Sequence, residues 1–451
     1  MAQPVDRPSS LAAGERSGSA TATLRSLGER YAQVRAATLA LVADLSEADA
    51  NLQSMPDASP AKWHMAHTTW FFETFVLEAA EPDFAPFEPS YRVLFNSYYN
   101  SVGEQYPRPD RGLISRPSLR EVRDYRDAVD QRVLALLESS VGAADQRGTR
   151  AILATLAILE LGLHHEQQHQ ELILTDLKHA FSKNPALPAY RRPLPARDAA
   201  ASELRWKRFD EGLVRIGDGD EGRAFAFDNE RPSHRVFLEA FELASRTVTN
   251  AEWREFMDDG GYSTPTLWLS NGWAWLAESG RTAPGYWRDD DSGWQQFTLG
   301  GLQPIRDDAP VCHVSYYEAD AFAAWAGARL PREAEWEIAA RDADARGGNF
   351  VEAGYLNPQQ LSAHDSSNEL VGLLGNVWEW TASPYVAYPG YHPAPGALGE
   401  YNGKFMADQW VLRGGSCATP ASHIRPSYRN FFAAQTRWQF AGVRLARDLG
   451  R

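Results

Sequence analysis

The chain has 451 residues, of which 43% are hydrophobic and 12% aromatic. This length exceeds what one ordinary core accommodates and predicts two domains. The formal net charge is -14, and the sequence shows no cluster of Lys and Arg. Nucleic-acid binding is therefore excluded, because neutralising phosphates requires such clusters.

The composition also bears on the cellular setting. No apolar run of about 18 residues is present, so we expect no membrane-spanning segment. Residues 1–22 lack an apolar signal core, and their Ala, Ser, Gly and Arg content predicts a disordered tail. The only cysteines are Cys312 and Cys417. Two cysteines make no disulfide framework and favour a reducing compartment, the cytoplasm.

The first long segment has the hydrophobic periodicity of four helices. Ser59 as N-cap and Pro60 at the first helical position are predicted to open the second helix. Ser118 and Glu121 form a capping-box pattern that starts the third. The fourth is predicted over residues 149–181. Four helices of such length indicate a bundle.

The remainder of the chain changes character. Prolines in residues 182–205 predict a semi-rigid linker. Beyond it, short β-rich runs alternate with turns, and capping boxes at Thr249 with Glu252 and Ser315 with Glu318 start short helices. This pattern predicts a mixed α+β domain. The predicted organisation is a tail at 1–22, a bundle at 23–181, a linker at 182–205 and the mixed domain at 206–451.

Six of the eleven histidines fall between positions 64 and 179. His165 and His169 are four residues apart on an inward helical face, so their imidazoles can meet one metal ion. On another helix, His67 continues an inward apolar stripe, while His64 sits at its edge. We therefore predict a metal site formed by His67, His165 and His169. Three neutral imidazoles suit Zn, Fe, Cu or Ni, and the residues alone do not choose.

Two other interpretations of these histidines exist. Histidines at this spacing also occur as ordinary core or surface residues. Glu166 follows His165 directly, which matches the HExxH pattern of zinc proteases. A location deep in a bundle, without the other parts of such proteases, disfavours that interpretation.

Seven segments, taken in this order across both domains, resemble the ergothioneine-type sulfoxide synthases and their selenoneine synthase relatives. The resemblance implies a DinB-like four-helix bundle followed by a C-type-lectin-like domain similar to formylglycine-generating enzymes. It implies Fe(II) at the three predicted histidines and O2 as cosubstrate. In that family a thiol is joined to the imidazole carbon of hercynine and its sulfur is oxidised to a sulfoxide. The segments are 64–67, 94–99, 107–112, 165–169, 375–380, 412–416 and 425–430.

The same resemblance suggests roles for individual residues. Gln168 and Asn430 are expected to line the pocket for the hercynine imidazole. Tyr98, assisted by Tyr99, is expected to supply a proton or hydrogen bond during the reaction. Two arginines are expected to bind the carboxylate of the donor substrate, or its other polar groups, because a forked guanidinium matches a carboxylate. They are Arg108 and Arg111.

The trimethylammonium group of hercynine cannot donate hydrogen bonds and favours aromatic faces. Phe431, Phe432 and Trp378 are the candidates. Some family members carry Trp-Asp where this chain has Phe431-Phe432, and many carry two prolines where it has Ala433-Ala434. These departures favour a donor other than γ-glutamylcysteine.

These residues are compatible with more than one function. We expect cysteine as donor on the route to ergothioneine, with a selenosugar giving selenoneine as the alternative. A metal-dependent thiol transfer without redox chemistry and a lectin-like binding module with a structural metal are further alternatives. Asp- and Asn-rich loops of the second domain leave room for a structural Ca²⁺. Cys417 has no second cysteine nearby, which argues against peptide-cysteine oxidation and predicts a small buried residue.

Overall fold

The computed structural model describes residues 10–143, 149–197, 203–219, 225–291, 293–361 and 369–449. Two compact units are present, Met1–Ile173 and Leu174–Arg451. The first is helical and the second carries the sheets, which confirms the predicted mixed α+β class. Within the described part of the chain, no helix combines the length and the hydropathy needed to cross a membrane.

Four long helical segments dominate the first unit. Residues 10–22, predicted to be part of a tail, belong to its first helix, while residues 1–9 lie outside the described ranges. A π-helical turn at Glu73–Leu77 continues α3 into α4. The helices are α1 Ser10–Val42, α2 Glu47–Ala50, α3 Ala61–Phe72, α4 Glu78–Ala80, α5 Tyr91–Leu94, α6 Leu119–Ala143 and α7 Thr149–Ser182, with a 3-10 turn at Arg108–Leu113.

The observed start of α6 agrees with the prediction from the sequence, whereas the start of α3 differs from it. Before α6, the backbone N–H of Ser118 donates to the Glu121 carboxylate at 2.7 Å, and Glu121 N–H donates back to the Ser118 hydroxyl at 3.2 Å. The predicted cap at Ser59 is wrong, because α3 begins at Ala61 with Pro60 at the N-cap. The Ser59 hydroxyl instead accepts a hydrogen bond of 2.9 Å from Arg111.

Close packing between α3 and α7 depends on a glycine. A Cβ atom at Gly162 would lie 2.5 Å from the ring of Phe72 and 3.1 Å from that of Phe71. Separations below about 3 Å are not tolerated between packed carbon atoms, which prefer about 3.5–4.0 Å. Gly162 thus lets the helix that carries His165 and His169 approach the helix that carries His67.

The second unit includes the end of α7 from Leu174 onward. Apart from Ser182, which ends α7, the described residues of the predicted linker form neither helix nor strand. The N–H of Tyr190 donates to the carbonyl of Leu299 at 2.8 Å and thereby ties this segment to the sheet-bearing part of the unit. Both predicted capping boxes are present, at Thr249 with Glu252 and at Ser315 with Glu318.

Twelve short strands lie in the described part of the second unit and form four sheets. Their spatial orders are β1-β4-β12, β10-β9-β8-β11, β2-β3 and β5-β6-β7; pairing is antiparallel except between β8 and β11. The helices are α8 Asn250–Asp258, α9 Ser270–Ser279, α10 Tyr316–Trp325 and α11 Glu333–Ala339. The strands are β1 Trp206–Phe209, β2 Gly212–Ile216, β3 His234–Leu238, β4 Phe241–Ala244, β5 Trp287–Asp290, β6 Gly293–Thr298, β7 Gly301–Pro304, β8 Trp378–Pro384, β9 Trp410–Arg413, β10 Asn430–Phe432, β11 Ala441–Gly442 and β12 Ala446–Asp448.

The segment at 375–380, one of the motifs noted in the sequence, is part of this core. Asn376 adopts a positive φ of 75°. Its side-chain oxygen accepts hydrogen bonds of 2.8 Å from Asn349 and from Gln359 N–H. Glu379 is fully buried and accepts from Arg444 at 2.8 Å. This motif therefore holds loops and strands of the second unit together.

Both cysteines are buried, and no disulfide joins them. Cys417 is 0% exposed, which confirms the prediction of a small buried residue.

Candidate metal centre

α3 and α7 bring the three predicted histidines together. One ligand nitrogen from each of His67, His165 and His169 lies within 4.8 Å of the others. Their exposed fractions are 0%, 2% and 8%. Among the described residues, this is the one group of three or more His, Cys, Asp or Glu side chains close enough to share an ion.

The orientation of His67 is fixed on several sides. Its Nδ1 lies 2.6 Å from the carbonyl oxygen of Phe95, which leaves Nε2 directed at His165 Nε2, 3.2 Å away. Its ring stacks between two indoles, Trp63 at 4.6 Å and 11° and Trp70 at 5.6 Å and 16° between planes. These tryptophans lie at i−4 and i+3 on the same helix face, a spacing that was visible in the sequence as an apolar stripe.

His64 has a larger part in the site than its edge position in the sequence suggested. It is 3% exposed, and its Nδ1 lies 2.7 Å from Nδ1 of His169. The distance is that of a hydrogen bond between the two rings. His64 therefore contacts a predicted ligand without belonging to the group of three.

All three candidate ligands are suited to bind a cation at neutral pH. Burial lowers the pKa of His165 to about 3. Burial, together with the neighbouring histidines, also places the pKa of His67 and of His169 well below the usual value. The rings are thus neutral at pH 7, and a neutral imidazole nitrogen is the form that binds metals.

The spacing also fits an ion. Metal–nitrogen bonds of about 2.1 Å at tetrahedral or octahedral angles place two ligand nitrogens about 3.0–3.4 Å apart. The two Nε2 atoms of His67 and His165 are 3.2 Å apart. The chemistry and spacing of these donors fit a divalent transition metal.

Glu166 is engaged elsewhere. Its carboxylate accepts hydrogen bonds from Arg35 at 2.8 Å, from the Thr38 hydroxyl at 2.6 Å and from Arg126. Burial by itself would raise the pKa of Glu166, but Arg126 and Arg35 outweigh it and lower the pKa to about 2. A carboxylate held by two arginines on α1 and α6 is a poor general base, which argues further against the protease interpretation.

Tyr98 and Tyr99 lie in the loop after α5. Tyr98 is half-buried, and its ring stacks on that of Tyr99 at 4.6 Å and 28°. Tyr99 is fully buried, with its ring 5.7 Å from Trp70, one of the indoles that flank His67. The backbone N–H of Tyr99 donates to the Asn96 side chain at 3.1 Å. The Tyr pair therefore sits in a fixed loop beside the histidine cluster.

The structure distinguishes the two predicted arginines. Arg111 is 3% exposed; its guanidinium lies 3.4 Å from the centre of the Trp63 ring and donates to the hydroxyls of Ser59 and Ser97. Arg108 is exposed and donates to the carbonyl of Asp57. Arg111 thus supports the indole that stacks on His67, a role that the sequence did not reveal.

The remaining predicted site residues divide between the units. Gln168, half-buried on α7, precedes His169 in the first unit. In the second unit, the half-buried Asn430, Phe431 and Phe432 form β10, and Phe431 stacks on Tyr385 at 4.0 Å and 9°. Trp378 is 1% exposed, with its ring 5.6 Å from that of Tyr428 in the core.

The chain matches two family models. Residues 30–173 match the DinB superfamily, and residues 205–449 match the sulfatase-modifying factor enzyme 1-like domain. The first match ends near the end of the helical bundle, and the second begins at the start of the sheet-bearing part of the chain. This division confirms the predicted fold class.

Curated relatives match along nearly the whole chain. A hercynine oxygenase of Mycolicibacterium thermoresistibile is 34% identical over 449 residues, covering 94% of this chain and 95% of the relative. A hercynine oxygenase of Mycolicibacterium smegmatis is also 34% identical, with 94% and 99% covered. A formylglycine-generating enzyme of Streptomyces coelicolor is 30% identical over 272 residues, covering 51% of this chain and 85% of the relative.

Proposed function

Because the chain belongs to the family of the hercynine oxygenases, we propose that it is an iron-dependent oxygenase that joins cysteine, or a similar thiol, to hercynine. In the overall reaction the imidazole C–H and the thiol S–H are lost, a C–S bond forms and O2 is reduced. One oxygen atom remains on sulfur as a sulfoxide, and the other leaves as water with the two hydrogens. The product lies on the route to ergothioneine.

The observation that carries this proposal is the buried group of His67, His165 and His169. Its three ligands are neutral and contain no carboxylate, so a substrate thiolate can bring the negative charge to the centre. When bound there, iron would supply the one-electron chemistry that lets O2 react with the two substrates. The pairing of iron with imidazole nitrogen and open positions is a common arrangement in oxygen-using enzymes.

The first unit also offers the residues that handle protons. Tyr98 is the proposed proton donor, because it is half-buried and held against the fully buried Tyr99 beside Trp70. Gln168 is proposed to hydrogen-bond the hercynine imidazole, since it is half-buried and adjacent to His169.

The remaining predicted residues are proposed to bind the donor substrate and the trimethylammonium group of hercynine. Arg108, exposed and carrying a forked guanidinium, is the better placed of the two arginines to bind a donor carboxylate. Arg111 is proposed to assist it. The half-buried Asn430, Phe431 and Phe432 are proposed to bind hercynine through the amide and aromatic faces. Trp378, expected from the sequence to join them, is 1% exposed in the core of the second unit and is the weakest of these candidates.

A selenium donor is the alternative within the same chemistry. Phe431-Phe432 replace the Trp-Asp of some relatives and leave no carboxylate there, which removes a partner for the ammonium group of γ-glutamylcysteine. A selenosugar, which carries hydroxyls instead of an ammonium group, is compatible with this loss. The reaction would form a C–Se bond in place of the C–S bond and give selenoneine.

To test the proposal, the full chain is first loaded with Fe(II) under anaerobic conditions. Turnover is then started by adding the substrates. Hercynine and O2 are supplied with cysteine, γ-glutamylcysteine or a selenosugar; O2 uptake and product mass are measured. Uptake with cysteine and a sulfoxide product supports the main proposal, and turnover only with the selenosugar supports the alternative. Donor consumption without O2 uptake supports a non-redox thiol transferase.

A histidine variant and its control complete the test. His165→Ala should abolish turnover because it removes a ligand. His392→Ala should leave turnover unchanged because His392 is exposed in the second unit. Absence of turnover by wild-type enzyme with every donor would overturn the proposed function.

A further inference from the structure

We propose that His64 is a positioning residue for the metal centre: its ring accepts a hydrogen bond from His169 and so fixes the direction of the His169 ring. The inference rests on the metal centre of the proposed function and concerns a side chain outside the three ligands. It is carried by the distance of 2.7 Å between the two Nδ1 atoms.

The direction of this hydrogen bond follows from the chemistry of imidazole. Each Nδ1 can either donate or accept, so one ring must donate and the other accept. An imidazole that binds a metal through Nε2 carries its hydrogen on Nδ1. His169 is then the donor, and Nδ1 of His64 is the acceptor. His64 must therefore be neutral, with its hydrogen on Nε2.

His67 and His169 each have a hydrogen-bond partner at Nδ1, but the two partners differ in kind. Nδ1 of His67 lies 2.6 Å from a backbone carbonyl, that of Phe95. No side-chain substitution removes that partner. The partner of His169 is a side chain, so its contribution can be measured directly by mutation.

Packing holds His64 in place for this role. Its ring lies edge-on to the Trp63 indole, with centroids 5.7 Å apart and planes at 77°. The same indole stacks on His67 and lies 6.3 Å from His169. One tryptophan thus lies against two of the three ligands, His67 and His169, and against the supporting ring of His64.

An imidazole acceptor affects the charge around the metal centre differently from a carboxylate acceptor. Metal-bound histidines usually donate to a carboxylate, a backbone carbonyl or water. A carboxylate would add a negative charge behind the ligand, whereas a neutral imidazole adds none. The positive charge of a bound ion then remains available for an anionic substrate group, which agrees with three neutral ligands.

Cobalt binding to the full chain tests the proposal without using enzyme turnover. Co(II) gives visible absorption bands that respond to ligand direction, and its dissociation constant is obtained by titration. His64→Leu removes the acceptor and keeps a side chain of similar volume, while His64→Asn is smaller but places an amide oxygen near the position of Nδ1. We expect His64→Leu to weaken Co(II) binding by about 10–100-fold and to change the visible bands. His64→Asn should retain most of the wild-type affinity and spectrum.

Controls separate a local effect from loss of the fold. Met65→Leu alters the next residue of α3, which is 0% exposed, and should bind Co(II) as the wild type does. Urea unfolding without metal shows whether each variant is folded. If His64→Leu does not fold, His64→Ala replaces it, because alanine also lacks an acceptor.

Two failures can be told apart. If wild-type protein binds no Co(II), or binds it equally after His165→Ala, the metal centre of the proposed function is wrong. If wild-type protein binds Co(II) through the three histidines and the folded variant lacking the acceptor shows the same affinity and spectrum, His64 has no positioning role. Equal losses in His64→Asn and His64→Leu would likewise contradict the hydrogen bond.

Discussion

The imidazole of His67 lies parallel to the indole of Trp63, with centroids 4.6 Å apart and planes 11° apart. The guanidinium of Arg111 lies over the same indole at 3.4 Å. A predicted ligand is thus held by a ring that is itself held by a buried cation. This order of contacts makes the direction of the His67 ring depend on Trp63.

Trp63→Ala should therefore affect both stability and metal binding. Removing a large buried aromatic side chain costs about 3–5 kcal/mol of unfolding free energy. It also frees the His67 ring to tilt, so Co(II) affinity should fall. Urea unfolding and Co(II) titration measure the two effects. A folded variant with wild-type affinity would show that the stacking does not orient the ligand.

The two arginines should respond differently to removal. Arg111→Ala should lower stability and Co(II) affinity, because Arg111 is buried against Trp63 and two serine hydroxyls. Arg108→Ala should leave stability within about 0.5 kcal/mol, as is usual for exposed residues. If Arg108 binds the donor carboxylate, its loss should raise KM for cysteine more than it lowers kcat. Comparable effects of both variants on Co(II) affinity would contradict this division.

Glu166→Gln should strongly destabilise the helical unit. It removes the charge paired with Arg126 and one of the two carboxylates paired with Arg35, the other being Asp130. Arg126 and Arg35 are 0% and 2% exposed. Breaking a buried ion pair on one side typically costs about 3–5 kcal/mol. Glu160 on the same helix offers a matched control, since its pair with Arg30 is 2.7 Å long but partly exposed, and Glu160→Gln should cost only about 0–1 kcal/mol. Equal unfolding free energies of the two variants would rule out the proposed difference.

Lys178 should give the second unit a distinctive pH dependence. Its Nζ is buried and lies 2.7 Å from His313 Nε2. Burial lowers the pKa of Lys178 from 10.5 to about 8, against the opposing effect of Cys312 and Cys417.

The sign of this dependence follows from proton binding. Between pH 8 and 10.5, the unfolded chain holds more protons at this lysine than the folded chain does. The free energy of unfolding therefore rises with pH across this window, and the cost of the buried charge is fully present below it. The total rise is at most about 3 kcal/mol.

Lys178→Met isolates this contribution because it has no group to titrate. The difference in unfolding free energy between wild type and variant, measured in urea from pH 7 to 10, should increase above pH 8 in favour of the wild type. A difference that stays constant with pH would show that the lysine titrates normally.

Tyr98→Phe tests the proposed proton donor. Loss of a general acid typically slows turnover by about 10²–10⁴-fold. We expect kcat to fall while the KM for hercynine changes little, because the ring and its stacking on Tyr99 remain. Tyr106→Phe, in the same connecting region and half-buried, serves as control. Equal rates for Tyr98→Phe and wild type would remove Tyr98 from the mechanism.

The sequence alone predicted most of the helices and the histidine triad, although it missed the N-cap of α3 and the helical residues 10–22. Helical periodicity places residues three and four apart on one face, so His165 and His169 had to project together and His67 had to face inward. Capping boxes such as Ser118 with Glu121 also act over three residues and were correctly predicted. Such features depend on local geometry, which a short stretch of chain specifies by itself.

Only the tertiary structure decided the partners of these residues. The hydrogen bond of His64 to His169, the engagement of Glu166 by two arginines and the stacking of Arg111 on Trp63 join residues dozens of positions apart. No local pattern encodes such pairs, because the meeting of two buried side chains depends on how whole helices pack. The sequence therefore determined which histidines could bind a metal, and packing decided what holds them in place.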